Sequence, residues 1–192
     1  HHPPPLGGFP DVLADVNAEY PIRTLRWAFA HGNQLDAAFL DRMKALGLYA
    51  AIHPWMITNG AVLHELYGDA AYDFMALRTI QDSGITWGFG SDGTRVNLIS
   101  PFEILGWAVT GEMIGGRKVT RQTITREEAL IAHTRSNAYL LWQEMRLGAI
   151  KPGLFADMLV LDRDYLSVPV DEIKDIRPVA TIVNGEIVYG EL

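Results

Sequence analysis

Three short apolar runs, separated by two helical patterns, constrain this chain more than any other feature. Leu25–Ala30 is aromatic and apolar and predicts a buried strand. Leu35, Ala38, Phe39, Met43 and Leu46 then recur at helical spacing, and Gly47 stops that helix. Leu48–Ile52 predicts a second strand, ended by His53-Pro54, with a loop to about Asp69. Ala70 to Gln81 predicts a helix with Phe74, Leu77 and Ile80 on one face, and Gly84 closes it. Ile85–Gly90 predicts a third strand leading into Ser91-Asp92-Gly93. Strand, helix, strand, helix, strand with short connections is the pattern of a parallel sheet with crossover helices. A doubly wound sheet and a (β/α)8 barrel both fit it.

Two further helices are expected. One starts at Pro101, a residue suited to a first helical turn, and runs to about Gly111. The other starts at Thr125, where Thr125-Arg126-Glu127-Glu128 is a capping box, and buries Leu130, Ile131, Ala138 and Leu141. After Gly148 the texture changes. Asp157–Asp162 predicts a strand, and Val179–Val183, Asn184-Gly185 and Glu186–Tyr189 predict a hairpin. Asn-Gly suits the positive φ angles of its turn. Three strands bury too little surface to fold alone, so this tail needs partner strands. The chain therefore divides at 1–148 and 149–192.

Composition excludes several classes. The apolar fraction is 48% and the charged fraction 20%, which supports a packed core. A net charge of −7 with no basic run argues against a nucleic-acid partner. No apolar stretch is long enough to cross a bilayer, so no membrane is expected. There is no cysteine, so any metal must use histidine, carboxylate or water. A cysteine-free chain also fits a cytoplasmic protein.

Each predicted strand ends in a functional group: His31, His53 and Asp92. Ligands of parallel α/β proteins sit at the carboxyl ends of strands. His31 is either a capping histidine bonded to a backbone carbonyl or a metal ligand. Ser91-Asp92-Gly93 is ordinary turn chemistry, or it presents a carboxylate that ligates a metal and takes a proton from water. His53, held extended by Pro54, either caps its strand or hydrogen-bonds substrate. Arg95 and Asn97 either contact substrate or orient the loop after Asp92. His64 and His133 read as surface or satisfied core histidines, and the five tryptophans as core.

Three stretches carry a resemblance: Leu25–His31, Gly47–Pro54 and Gly88–Arg95. To these are added Asn97–Gly116 and the tail Leu147–Asp162, ending in Val183–Tyr189. From about Phe9 to Leu192 the chain resembles the amidohydrolase superfamily, in the branch called amidohydrolase family 3, which includes N-substituted formamide deformylase-like proteins. The resemblance implies the C-terminal half of a (β/α)8 TIM barrel plus part of a small β-sandwich built from both chain ends. It implies His31 as the metal ligand of strand six, and Asp92 as the strand-eight aspartate that binds metal and acts as general base. It places His53 near the end of strand seven, close to substrate. The implied cofactor is a divalent cation, zinc first, as one or two ions. The implied substrate is a small molecule with an amide or other non-peptide C–N bond.

The family's His-X-His pair and strand-four ligand have no counterpart here, and His1 or His2 falls only near the place of the strand-five histidine. A catalytic zinc site commonly takes three protein ligands, and this chain offers two. The rest of the barrel is expected from further sequence, a separate chain or a second copy, and the portion alone is expected to be inactive. The alternatives are an inactive structural half and a doubly wound binding module. The module would need a glycine-rich phosphate loop after its first strand, whereas His31-Gly32-Asn33-Gln34 has one glycine.

Overall fold

A computed structural model describes residues 8–93, 97 and 99–191. His1, His2 and Arg95 lie outside the described residues. The elements run α1 (Phe9–Glu19), β1 (Ala28–His31), α2 (Ala37–Ala45), β2 (Tyr49–Ile52), α3 (Met56–Tyr67), a 3-10 helix (Gly68–Asp73), α4 (Leu77–Asp82) and β3 (Trp87–Phe89). Then come α5 (Pro101–Thr110), α6 (Arg126–His133), α7 (Arg135–Leu140), β4 (Met158–Leu161), a second 3-10 helix (Val170–Asp175), β5 (Pro178–Val183) and β6 (Glu186–Gly190).

β1, β2 and β3 form a parallel sheet in that order, with His31 opposite Ile52 and Ile52 opposite Phe89. Ile52, Trp87 and Phe89 of this sheet share one buried core with Leu40 and Met43 of α2, Leu77 and Ile80 of α4, and Trp107 of α5. β2 and β3 are largely buried, but β1 is an exposed edge strand rather than the buried strand the sequence predicts. Its composition is apolar because Phe29 packs between Phe9 and Phe39, at ring distances of 5.3 and 5.2 Å, while Leu25 and Trp27 stay exposed.

Three expectations fail locally, each for a tertiary reason. The stretch after Pro54 is α3, not a loop. Gly60 inside it serves close packing: a Cβ there would lie 2.6 Å from Val119 Cγ1. The Ala70–Gln81 helix breaks between the first 3-10 helix and α4. The carbonyls that would continue it go elsewhere: Tyr72 O accepts from Thr120 Oγ1 at 3.0 Å and Phe74 O from Gln34 N at 2.8 Å. The helix after Thr125 breaks at Thr134, whose hydroxyl bonds back to Leu130 O at 2.7 Å. Its buried residues are Ala129, Ala132 and Ala138, while Ile131 and Leu141 are exposed. The capping box itself forms as predicted, Glu128 N donating to Thr125 Oγ1 and Thr125 N to Glu128 Oε2.

β4, β5 and β6 form an antiparallel sheet in that order, turning at Asn184 and Gly185, both at positive φ. The second 3-10 helix ties this tail to the rest: Ile173 and Ile176 join the same apolar core as Trp107 of α5. β6 is exposed along its whole length, with Ile187, Val188 and Tyr189 uncovered. Among the described residues, no helix is long and apolar enough to cross a membrane.

Candidate functional site

The parallel register brings the three predicted site residues to one end of the sheet. His31 closes β1, and its carbonyl accepts from His53 N at 3.2 Å, so the two histidines stand side by side past neighbouring strand tips. Their rings are 5.1 Å apart at 43°. Gly90 N donates to Ile52 O at 2.9 Å, which carries the chain after β3 to the same level. From there Asp92 Oδ2 comes within 3.4 Å of His53 Nε2. Asp92 is 44% exposed, His53 only 10%, and His31 is exposed. The cluster is therefore a solvent-facing site with one buried ring at its floor.

Local backbone geometry sets the directions. His31 and Asp92 have φ of 71° and 49°, in the left-handed region that side chains rarely adopt. Such conformations cost free energy and gather at functional sites. Gly32 follows at φ 61°, where a Cβ would strike Ile52 Cδ1 at 2.3 Å, so the turn after His31 demands glycine.

His53 Nε2 is buried, and its approach to Asp92 lacks hydrogen-bond alignment, so the atom has no hydrogen-bond partner among the described residues. Burial pushes the His53 imidazole below the ordinary histidine value of 6.5; the Asp92 charge opposes this and His31 adds to it. A neutral imidazole with an unused ring nitrogen can accept a proton, hydrogen-bond a ligand or donate a lone pair to a cation. Neutral His and ionised carboxylate are also the donor chemistry a zinc ion takes. Among the described residues, however, no group of three or more His, Asp or Glu stands close enough to hold a metal ion. The residues fit part of a metal site, not a whole one.

Asn97 is buried, and both ends of its amide meet protein. Nδ2 donates to Pro54 O at 3.1 Å and Oδ1 accepts from Thr58 Oγ1 at 3.2 Å. Its backbone N–H reaches Asp92 O at 3.4 Å. Thr58 and Asn59, whose Nδ2 donates to Thr58 Oγ1 at 2.8 Å, lie in a stretch that the sequence predicts as loop, and no local pattern marks them. Asn33, two residues past His31, buries Oδ1 without a hydrogen-bond partner among the described residues; its place after a strand tip is the available signal. His64 bonds Val119 O at 3.0 Å, away from the cluster. His133 packs near Phe89, ring to ring at 6.3 Å, and its buried Nδ1 has no hydrogen-bond partner among the described residues.

A family model described as the amidohydrolase family matches residues 6–189. N-substituted formamide deformylase of Arthrobacter pascens is 26% identical over 166 residues, 81% of this chain and 30% of that protein. A crystal structure of an uncharacterized metal-dependent hydrolase from Pyrococcus furiosus superposes with a TM-score of 0.64 at 23% identity. It covers 82% of this chain and 32% of that one. An adenosine deaminase from Xanthomonas campestris with bound zinc superposes with a TM-score of 0.61 at 19% identity, covering 93% of this chain and 43% of that one. The chain thus spans about a third of the length of the curated relatives it matches, 30% and 35%.

Proposed function

This chain belongs to the amidohydrolase family, and on that premise we propose that it is the C-terminal part of a metal-dependent hydrolase of amide or other non-peptide C–N bonds. Residues 1–148 would form the second half of a (β/α)8 barrel, and 149–192 part of a composite β-sandwich. One observation carries the reading: His31, His53 and Asp92 converge past three adjacent strand tips, with His53 Nε2 3.4 Å from Asp92 Oδ2. The exposed edge of β1 and the uncovered β6 support the view that further strands complete both sheets. Those strands would come from further sequence, a separate chain or a second copy.

In the reaction, Asp92 takes a proton from the attacking water and passes it to the leaving amine as the C–N bond breaks and a C–O bond forms. His53 and Arg95 would orient the substrate. A divalent cation, zinc first, would be held by His31 and Asp92 together with donors from the completing part, and would supply Lewis-acid polarisation of the scissile carbonyl. Burial, which lowers the His53 pKa, favours the neutral imidazole there.

The test is turnover of an N-substituted formamide by the whole zinc-loaded protein with Asp92→Asn. A general base contributes about 10²–10⁴-fold, so a loss of that order is expected with circular dichroism unchanged. Undiminished turnover refutes the assignment. The absence of a three-donor group among the described residues favours a second reading, a catalytically inactive structural half whose site residues hold no metal. Zinc stoichiometry separates the two: one or more ions per whole protein supports the enzyme, and none supports the inactive half.

A further inference from the structure

We infer that Asn97 is a positioning residue, a buried amide that fixes the Asp92 turn against the His53 turn. The inference rests on Asp92 and His53 forming the site proposed above, and it gives Asn97 a role other than touching substrate.

Asparagine is seldom buried, because its amide needs partners once water is removed. Asn97 is 8% exposed, and its partners are not neighbours in sequence. Pro54, 43 residues earlier, takes the Nδ2 hydrogen bond, and Thr58 on the first turn of α3 supplies the hydroxyl to Oδ1. Both belong to the segment that begins at His53. On the other side, the Asn97 backbone N–H reaches Asp92 O, and Asn97 bridges to Gly93. One residue therefore joins the two turns whose side chains meet at 3.4 Å.

Asp92 needs such a brace. Its φ of 49° is a conformation that the local chain does not favour. Among the described residues, its carboxylate meets one polar partner, His53, without the alignment of a hydrogen bond. Among the described residues nothing else anchors the side chain; the backbone sets its place, and Asn97 holds that backbone through Asp92 O and Gly93. Residues that orient reacting groups in this indirect way are worth about 10–100-fold in affinity or activity.

The test reads the Asp92–His53 geometry directly, through the His53 Nε2 resonance in nitrogen-detected NMR of the metal-free protein at one fixed pH. Asp92→Asn is expected to shift that resonance, and Asn97→Ala to shift it in the same sense. Asn97→Asp keeps the volume but sets a carboxylate oxygen against Pro54 O, so it should act likewise even if the alanine variant folds poorly. Gly111→Ala serves as the stability control, because Gly111 lies in the αL cap of α5, where a Cβ would strike Thr120 O at 2.4 Å. It should lower the melting temperature and leave the resonance in place. In the whole zinc-loaded protein, Asn97→Ala should lower kcat on an N-substituted formamide by about 10–100-fold with KM little changed. An Asn97→Ala protein that loses stability but keeps the wild-type resonance and kcat overturns the inference. A shifted resonance with Asp92→Asn turnover intact would instead retain the positioning and sink the hydrolase reading.

Discussion

Gly60 decides whether α3 can lie where it holds Thr58 against Asn97. In an ordinary helix interior, Gly→Ala stabilises by about 0.5–1 kcal/mol, because alanine loses less backbone entropy. Here an added Cβ would meet Val119 Cγ1 at 2.6 Å, Cβ at 2.7 Å and Cγ2 at 3.0 Å. Ordinary contact begins at 3.4 Å, so α3 or Val119 must move by roughly 0.8 Å. Val119 has little room to move: it is fully buried, and its N–H donates to Gly111 O at 2.8 Å. Overpacking of this kind costs about 1–3 kcal/mol, and the confined setting places it in the upper half of that range. The net expectation for Gly60→Ala is a loss of about 1–2 kcal/mol. For a chain of this size that is a fall in Tm of about 2–8 °C, read by calorimetry. In a Val119→Gly background all three offending atoms are gone, and Gly60→Ala should then stabilise. The coupling energy of the cycle should be about 2–3 kcal/mol. A rise in Tm for Gly60→Ala in the parent chain, or equal effects in both backgrounds, refutes the packing argument.

Three further outcomes follow from the same geometry. Glu128 accepts from both Arg78 guanidinium nitrogens at 2.9 Å and from Thr125 N at 2.8 Å, which holds its carboxyl below the ordinary value of 4.5. Its folded value lies below its unfolded one, so the stability it contributes is complete above about pH 4.5 and is lost as pH falls through the folded value. Glu128→Gln should cost about 1 kcal/mol at pH 7, discounted for the half-exposed Arg78, and progressively less toward pH 3, as measured by urea denaturation. Burial likewise depresses the His133 imidazole below 6.5. The unfolded chain therefore binds the proton more readily, and stability should decline as pH falls below about 6.5. His133→Phe should flatten part of that slope, and an unchanged slope would assign it to other groups. Finally, Asp92→Gly relieves a left-handed conformation and should raise stability by ~0.5–1 kcal/mol while abolishing turnover in the whole protein. A fall in Tm would make Asp92 a structural turn residue.

What the sequence made legible was whatever is encoded locally. The capping box at Thr125, the Pro101 start of α5 and the Asn184-Gly185 turn are each specified by residues within a few positions of one another, and each forms where expected. What failed was decided by distant residues. Nothing between Pro54 and Asp69 says that Val119 will press on Gly60. The break before α4 depends on Thr120, whose hydroxyl draws on Tyr72 O, 48 residues earlier. The exposure of β1 has the same origin. Leu25 and Trp27 are composed like core residues, and composition alone does not reveal that no described strand pairs with their outer side.

The site divides along the same line. Placing His31, His53 and Asp92 at one end of a parallel sheet needs only the strand pattern and the rule that ligands gather at carboxyl ends. Their mutual approach needs register, which periodicity does not give. It also needs backbone conformations that the residue types do not announce. Among the described non-glycine residues with positive φ are His31, the last residue of β1, and Gln34 and Asp92 in the loops that follow β1 and β3. Arg26 and Trp142 lie at a separate clasp, where the Arg26 guanidinium stacks 3.8 Å over the Trp142 ring and pairs with Glu144. Asn184 is a hairpin turn. A glycine at position 31 or 92 would adopt either conformation without strain, as Gly32 does beside them. A side chain kept at such a cost must do something glycine cannot. The His31 ring lies 5.1 Å from the His53 ring and Asp92 Oδ2 lies 3.4 Å from His53 Nε2, an atom without a hydrogen-bond partner among the described residues, and this convergence is a stronger argument for chemistry than any one of the three residues.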